Sequence, residues 1–126
     1  EGQVIACNIL EPSQRSASVT PVLVQGADAE AIATYTQRIC GVTLGSAIGE
    51  LSGRAFRIAH MGHTNAPMVL GTLSAVEMAL QALNIPHGSG GVAAAVASLA
   101  KGAGLPGRPA DHQVPENDLA LATAPA

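Results

Sequence analysis

The chain has 126 residues, of which 48% are hydrophobic but only 2% aromatic, and a formal net charge of −3. That length fits one domain with a single modest core, and because Tyr35 and Phe56 are its only tyrosine, phenylalanine or tryptophan rings, the core should be aliphatic and rich in alanine. The basic side chains are scattered at Arg15, Arg38, Arg54, Arg57, Lys101 and Arg108, a distribution that argues against a nucleic-acid surface.

Gln3–Ile9 is a short β-prone run, and Glu11–Ser16, with Pro12, reads as a turn. Ser18–Val24 is a second strand, rich in β-branched residues. Pro21 inside it has no N–H to give a ladder, which predicts a position at a sheet edge or a bulge. Asp28 is placed to cap a helix, with Glu30 in its first turn, Ile32, Tyr35 and Ile39 as its buried stripe, and Gly41 closing it. Val42–Leu44 reads as a third short strand. The three glycines between Gly45 and Gly53 suit a loop that bends sharply or lies close to a ligand.

Ala55–His60 is the fourth strand. Asn65 can cap the next helix, and Pro67 is tolerated in its first turn, where its N–H would have no helical partner. That helix, Ala66–Leu83, carries Val69, Leu73, Val76, Leu80 and Leu83 on one stripe. Met68, Leu70 and Met78 lie on its other faces with Glu77 as the only charge, which predicts cover from another domain or subunit. Asn84 and Pro86 end it. Gly88–Gly91 leads into a last helix, about Val92–Ala100, and a stretch with four prolines follows. The order β-β-α-β-β-α-α predicts an α+β fold, a small, mostly antiparallel sheet covered by helices. Residues 1–101 would form the domain and 102–126 a tail.

The apolar stretch Ala66–Ala82 is broken by Thr72, Ser74, Glu77 and Gln81, so no membrane span is expected. No basic segment followed by an apolar run opens the chain, which makes a cytoplasmic protein the default. Cys7 and Cys40 lie far apart without metal-type spacing, and each is expected as a small buried hydrophobe rather than half of a disulfide. The chain opens at Glu1 without a methionine and reads as a piece of something longer.

Alternation along Ala55–His60 puts Phe56 and Ile58 on one face, under the helices, and Ala55, Arg57 and Ala59 on the other. Arg57 then projects between two small side chains. Its planar fork matches a carboxylate with two parallel hydrogen bonds, which makes it a candidate carboxylate clamp. The plainer alternative is a strand arginine paired with a surface acid. His60 and His63 form an HxxH pair across a strand-to-turn junction with no third ligand at a recognisable spacing. A structural or substrate-edge role is expected of them, and no metal. Gly88–Gly91 could nest an anion, or Ser89 could simply cap the helix.

The run Arg57-Ile58-Ala59-His60-Met61-Gly62 resembles the Arg-Ile-Gly-His-Met-Gly strand in the C-terminal small domain of class V aminotransferases, the serine/alanine–glyoxylate group. The resemblance covers about Ser16–Leu83. It includes the approach Arg15–Thr20, the glycine-rich loop Gly45–Gly53 and the helix segment Leu70–Glu77. It implies the small domain of a fold-type I, homodimeric enzyme that uses pyridoxal 5'-phosphate to move an amino group between serine or alanine and glyoxylate or pyruvate. It also implies that Arg57 binds the substrate carboxylate. Ala59 stands where glycine is usual, His63 where an acid is common, and Asn65-Ala66-Pro67 resembles the pyridoxamine–pyruvate type more closely.

Pyridoxal phosphate chemistry needs an amine, and an acid at the pyridine nitrogen. Lys101, the only lysine, is expected to be solvated at the end of the last helix. The resemblance therefore assigns this chain no catalytic, cofactor-binding or metal-binding residue and makes it inactive alone, with the cofactor held mainly by a large domain. A freestanding module that senses a small amino acid or oxo acid is the alternative from another class.

Overall fold

A computed structural model describes residues 5–102. Its strands are β1 (Ile5–Cys7), β2 (Val19–Val24), β3 (Gly45–Ser46) and β4 (Ala55–Ala59), and its α-helices are α1 (Ala29–Tyr35), α2 (Ala66–Ala82) and α3 (Gly91–Gly102). The strands form one fully antiparallel sheet in the order β1-β2-β4-β3. The fold is the expected α+β arrangement. Gln3 and Val4 of the first expected strand, and the tail beyond Gly102, lie outside the described residues.

β2 pairs along both of its edges, so Pro21 sits in a central strand and not at the expected edge or bulge. The Pro21 carbonyl accepts the Asn8 N–H at 3.1 Å. A strand residue points its nitrogen and its oxygen to the same side, so the proline nitrogen also faces β1. It does so one position beyond Cys7, where the β1 ladder has ended. The missing donor therefore removes no hydrogen bond that the ladder needs.

The Asp28 carboxylate accepts the Glu30 N–H at 2.9 Å and caps α1 as expected. After Tyr35 the helix widens into a π-helical turn, Thr36–Cys40, which ends at left-handed Gly41. Each residue of a wider turn advances through a smaller angle. Thr36 is thereby fully buried, while Ile39 is 63% exposed instead of closing the stripe. The Thr36 hydroxyl donates to the Ala33 carbonyl at 3.0 Å, which satisfies it inside the core.

The third strand is displaced from its expected place. Val42–Leu44 form no ladder, and Gly45–Ser46 pair with Arg57 and Phe56 of β4. Leu44 is instead a core residue at the approach to the strand. The fourth strand stops at Ala59, one residue short of the expected end.

Asn65 caps α2, its side-chain oxygen accepting the Met68 N–H at 3.0 Å. Ala29 and Ile32 of α1 and Val76, Ala79 and Leu80 of α2 join Val22, Val24 and Phe56 in one cluster. Burying a ring such as Phe56, 1% exposed, removes enough apolar surface to contribute about 1.5–3 kcal/mol. Val69 and Leu73 on the expected stripe are half-buried, and Leu83 is exposed because the helix has already ended at Ala82. Met68 and Met78 are also exposed, and α3 packs along another side of α2.

The cysteines depart from expectation. Cys7 is exposed at the end of a three-residue edge strand, and Cys40 is half-buried at the end of the π turn. Both are free thiols.

Candidate functional site

The cross-strand register divides the sheet into two faces. Val22 and Phe56 lie side by side under the helices, with exposed Ser46 continuing their row at the sheet edge, while Pro21, Arg57 and Gly45 form the neighbouring row on the opposite face. Phe56 is buried and Arg57 exposed, so adjacent residues of β4 do opposite jobs. Alternation also puts Ala55 and Ala59 on the face of Arg57; Ala59 is exposed there, but Ala55 is buried at 1% exposure.

What holds the guanidinium is backbone. Arg57 Nε donates to the Ser46 carbonyl at 2.9 Å, the one hydrogen bond the side chain makes among the described residues. Gly45 stands directly across from Arg57, and a Cβ built there would lie 3.4 Å from Arg57 Cβ and 3.5 Å from its Nε. No carboxylate of the described residues is bonded to this side chain, so the arginine–surface-acid pair weighed from sequence is not formed among them. With Nε engaged, the two terminal amino groups remain to meet a planar anion edge-on. Their geometry suits a carboxylate, and a lysine ammonium could not reproduce it. Sequence reasoning found Arg57 and marked Gly45 only as the start of a glycine-rich loop, and it missed Ser46, because a backbone carbonyl leaves no mark in residue type.

His60 lies at the end of β4, and its ring ties that end to the chain forty residues earlier. Nδ1 is 3.1 Å from the Ala17 carbonyl and Nε2 is 3.0 Å from the Thr20 hydroxyl. A carbonyl can only accept, so Nδ1–H donates, and in the neutral ring Nε2 accepts from Thr20. Both ring nitrogens have protein partners, an arrangement that holds the end of β4 in place. His63 is exposed in the turn after left-handed Gly62. Among the described residues no three His, Cys, Asp or Glu side chains are grouped as a metal site.

Beyond His60 a groove of about 470 Å³ separates the end of β4 from the first turns of α2, lined by Ile58, His60, Met61, Met68, Val69 and Leu73 among others. A second cleft of about 460 Å³ runs beside Gly88 and Ser89, between Ile5 and α2. There α3 begins at Gly91, one residue earlier than expected, after left-handed Gly90.

Lys101 is exposed in the last turn of α3, which packs on α2 and so belongs to the helical layer, behind the sheet from Arg57. An amine needed for covalent cofactor chemistry must sit beside the substrate. Among the described residues no lysine stands beside Arg57, so they offer no amine there to anchor pyridoxal phosphate. No described helix is long and apolar enough to cross a membrane.

No family model matches the chain. Over 88 residues it is 36% identical to the serine–glyoxylate aminotransferase of Hyphomicrobium methylovorum, a match covering 68% of this chain and 22% of that protein. The L-aspartate–glyoxylate aminotransferase of Paracoccus denitrificans is 33% identical over the same length, again covering 68% and 22%. In three dimensions the pyridoxamine–pyruvate aminotransferase of Mesorhizobium loti superposes with a TM-score of 0.71 at 28% identity, over 77% of this chain and 26% of that one. The chain spans about a fifth of the length of the curated relatives it matches.

Proposed function

We propose, from the premise that this chain belongs with the class V aminotransferases and matches their C-terminal part, that it is the small domain of such an enzyme and grips its substrates by their carboxylates. The domain is residues 1–101, with 102–126 as a tail. The whole enzyme is a cytoplasmic homodimer that moves an amino group between a small amino acid, serine or alanine, and a small 2-oxo acid, glyoxylate or pyruvate. Pyridoxal phosphate, bound by a large domain, supplies the electron sink for that exchange.

The observation that carries the reading is the state of Arg57. Its Nε is fixed on the Ser46 carbonyl at 2.9 Å while its outer edge is exposed on the open face of the sheet. An arginine kept only for stability would be expected to spend that edge on an acid. A carboxylate is the one charged group common to the amino acid and the oxo acid, so a single clamp serves both halves of the exchange. Bidentate pairing also fixes the carboxylate plane, and with it the direction of the neighbouring α-carbon.

The test is Arg57→Ala in the full-length enzyme. Truncating one partner of such a pair costs roughly 2–5 kcal/mol, so kcat/KM should fall about 30-fold to several thousand-fold for the amino acid and the oxo acid alike. Arg57→Lys should recover part of the loss, and cofactor absorbance should stay unchanged. Near-normal kcat/KM in Arg57→Ala would sink the proposal.

The pyridoxamine–pyruvate type is a second reading within the family. It is favoured by Asn65-Ala66-Pro67 and by the superposition on the Mesorhizobium loti enzyme. Pyridoxamine has no carboxylate, so under this reading Arg57→Ala would impair the oxo acid and spare the donor.

A further inference from the structure

The geometry points to Gly45 as the positioning residue of the carboxylate clamp, a smooth floor that lets Arg57 lie down on the Ser46 carbonyl and face substrate in one orientation. The inference rests on the proposed role of Arg57 and goes one step further, to what fixes that side chain.

Arginine has several rotatable bonds, and freezing them for one ligand costs conformational entropy. A strand arginine with two ordinary neighbours would wag. Here the row Pro21–Arg57–Gly45 gives it unequal flanks. Pro21 offers a ring with no donor, and Gly45 offers no side chain at all. Paired Cβ atoms across two strands normally stand about 4.5–5.5 Å apart, but a Cβ at Gly45 would be only 3.4 Å from Arg57 Cβ. The same Cβ would meet Nε at 3.5 Å, and Nε is the atom that donates to Ser46. The space a side chain would take at position 45 therefore lies against both the root of Arg57 and its anchored nitrogen.

Gly45 does not owe its identity to backbone conformation. It is absent from the left-handed glycines, which include Gly41, Gly49 and Gly53. A single Cβ would stand there in ordinary contact, so what the close approach excludes is a larger side chain. An alanine would touch the arginine stem in ordinary contact. A β-branched residue would add two further carbons beside Nε and push the guanidinium off the carbonyl. Ser46 contributes through its backbone, so its side chain is not needed for the anchor.

The prediction is a graded loss of selectivity for carboxylates at unchanged cofactor absorbance. In the full-length enzyme, kcat/KM is measured for serine and for ethanolamine, the same amine without its carboxylate, in wild type, Arg57→Ala, Gly45→Ala and Gly45→Val. Gly45→Val should cut the serine-to-ethanolamine preference about tenfold, the worth of one charge-assisted hydrogen bond, mostly through KM, and Gly45→Ala should cut it less. In the 126-residue chain, the Arg57 Nε–H should exchange slowly with solvent by ¹⁵N NMR and exchange fast in Gly45→Val. If Arg57→Ala leaves the preference intact, the clamp itself is wrong. If Arg57→Ala abolishes the preference while Gly45→Val keeps it, or if Nε–H stays protected in Gly45→Val, the clamp stands and the positioning role is refuted. Gly45→Ala and the exchange measurement keep the test decisive should Gly45→Val fold poorly.

Discussion

Phe56 and Arg57 are neighbours on one strand, yet the two faces they serve are built on different principles. Under the helices, Phe56 meets Val22, Val24, Ile32 and Leu80 in a closed cluster whose value is area removed from water. On the other face Arg57 meets a proline, a glycine and a carbonyl, and leaves its charged edge exposed. One face spends side chains on packing. The other withholds them so that a single side chain can be aimed. A strand of five residues thus carries stability and recognition without making either depend on a loop.

Substitutions on the two faces should separate these roles, and the largest stability effect belongs to the closed one. Phe56→Ala leaves a cavity in the core cluster of the described residues and should destabilise the chain by about 3–5 kcal/mol, measured by urea unfolding. A loss below about 1 kcal/mol would mean the cluster is looser than its burial implies. Next comes the cap of the helix that roofs this face. Asn65→Ala removes the acceptor for the Met68 N–H and should cost about 1 kcal/mol in the same measurement. Arg57→Ala should move the unfolding midpoint hardly at all, within about 0.5 kcal/mol for an exposed side chain, although it is predicted to cripple turnover. Equal stability losses for Phe56→Ala and Arg57→Ala would erase the distinction between the faces. The smallest effect is expected at Arg54, which is exposed and uses its backbone carbonyl to hold the Val24 N–H at 2.8 Å. Arg54→Ala should change kcat/KM by no more than about twofold. If it lost activity while Arg57→Ala kept it, the clamp would have been assigned to the wrong arginine.

The alternation of Ala55–His60 was enough to put Phe56 and Arg57 on opposite faces, because period two is a local property of the chain. Asp28 and Asn65 announced their helices for the same reason: a cap is a contact over two or three residues. What stayed illegible depended on distance or on backbone. The π turn that expels Ile39 has no residue-type signature, and a regular helix would have buried that side chain. β3 is two residues long and begins at a glycine, so no propensity reveals it, and the more β-prone Val42–Leu44 attracted the assignment. His60 was expected in a structural or substrate-edge role, but its partners Ala17 and Thr20 are remote in sequence and could not be named from it. For the site, the arginine could be read from sequence and resemblance, but its support could not.

Pro21 has a consequence for how the sheet assembles. Sliding β1 by two residues would keep every side chain on its proper face, so hydrophobic patterning alone does not forbid it. The slide would bring Ala6 opposite Pro21, and the Ala6 carbonyl would then face a ring that has no hydrogen to give. An unanswered carbonyl inside a ladder costs about 1–3 kcal/mol, whereas in the native pairing the same gap falls harmlessly beyond Cys7. The proline thus acts as a proofreader of strand alignment, penalising one of the misregistered sheets that burial alone would let pass.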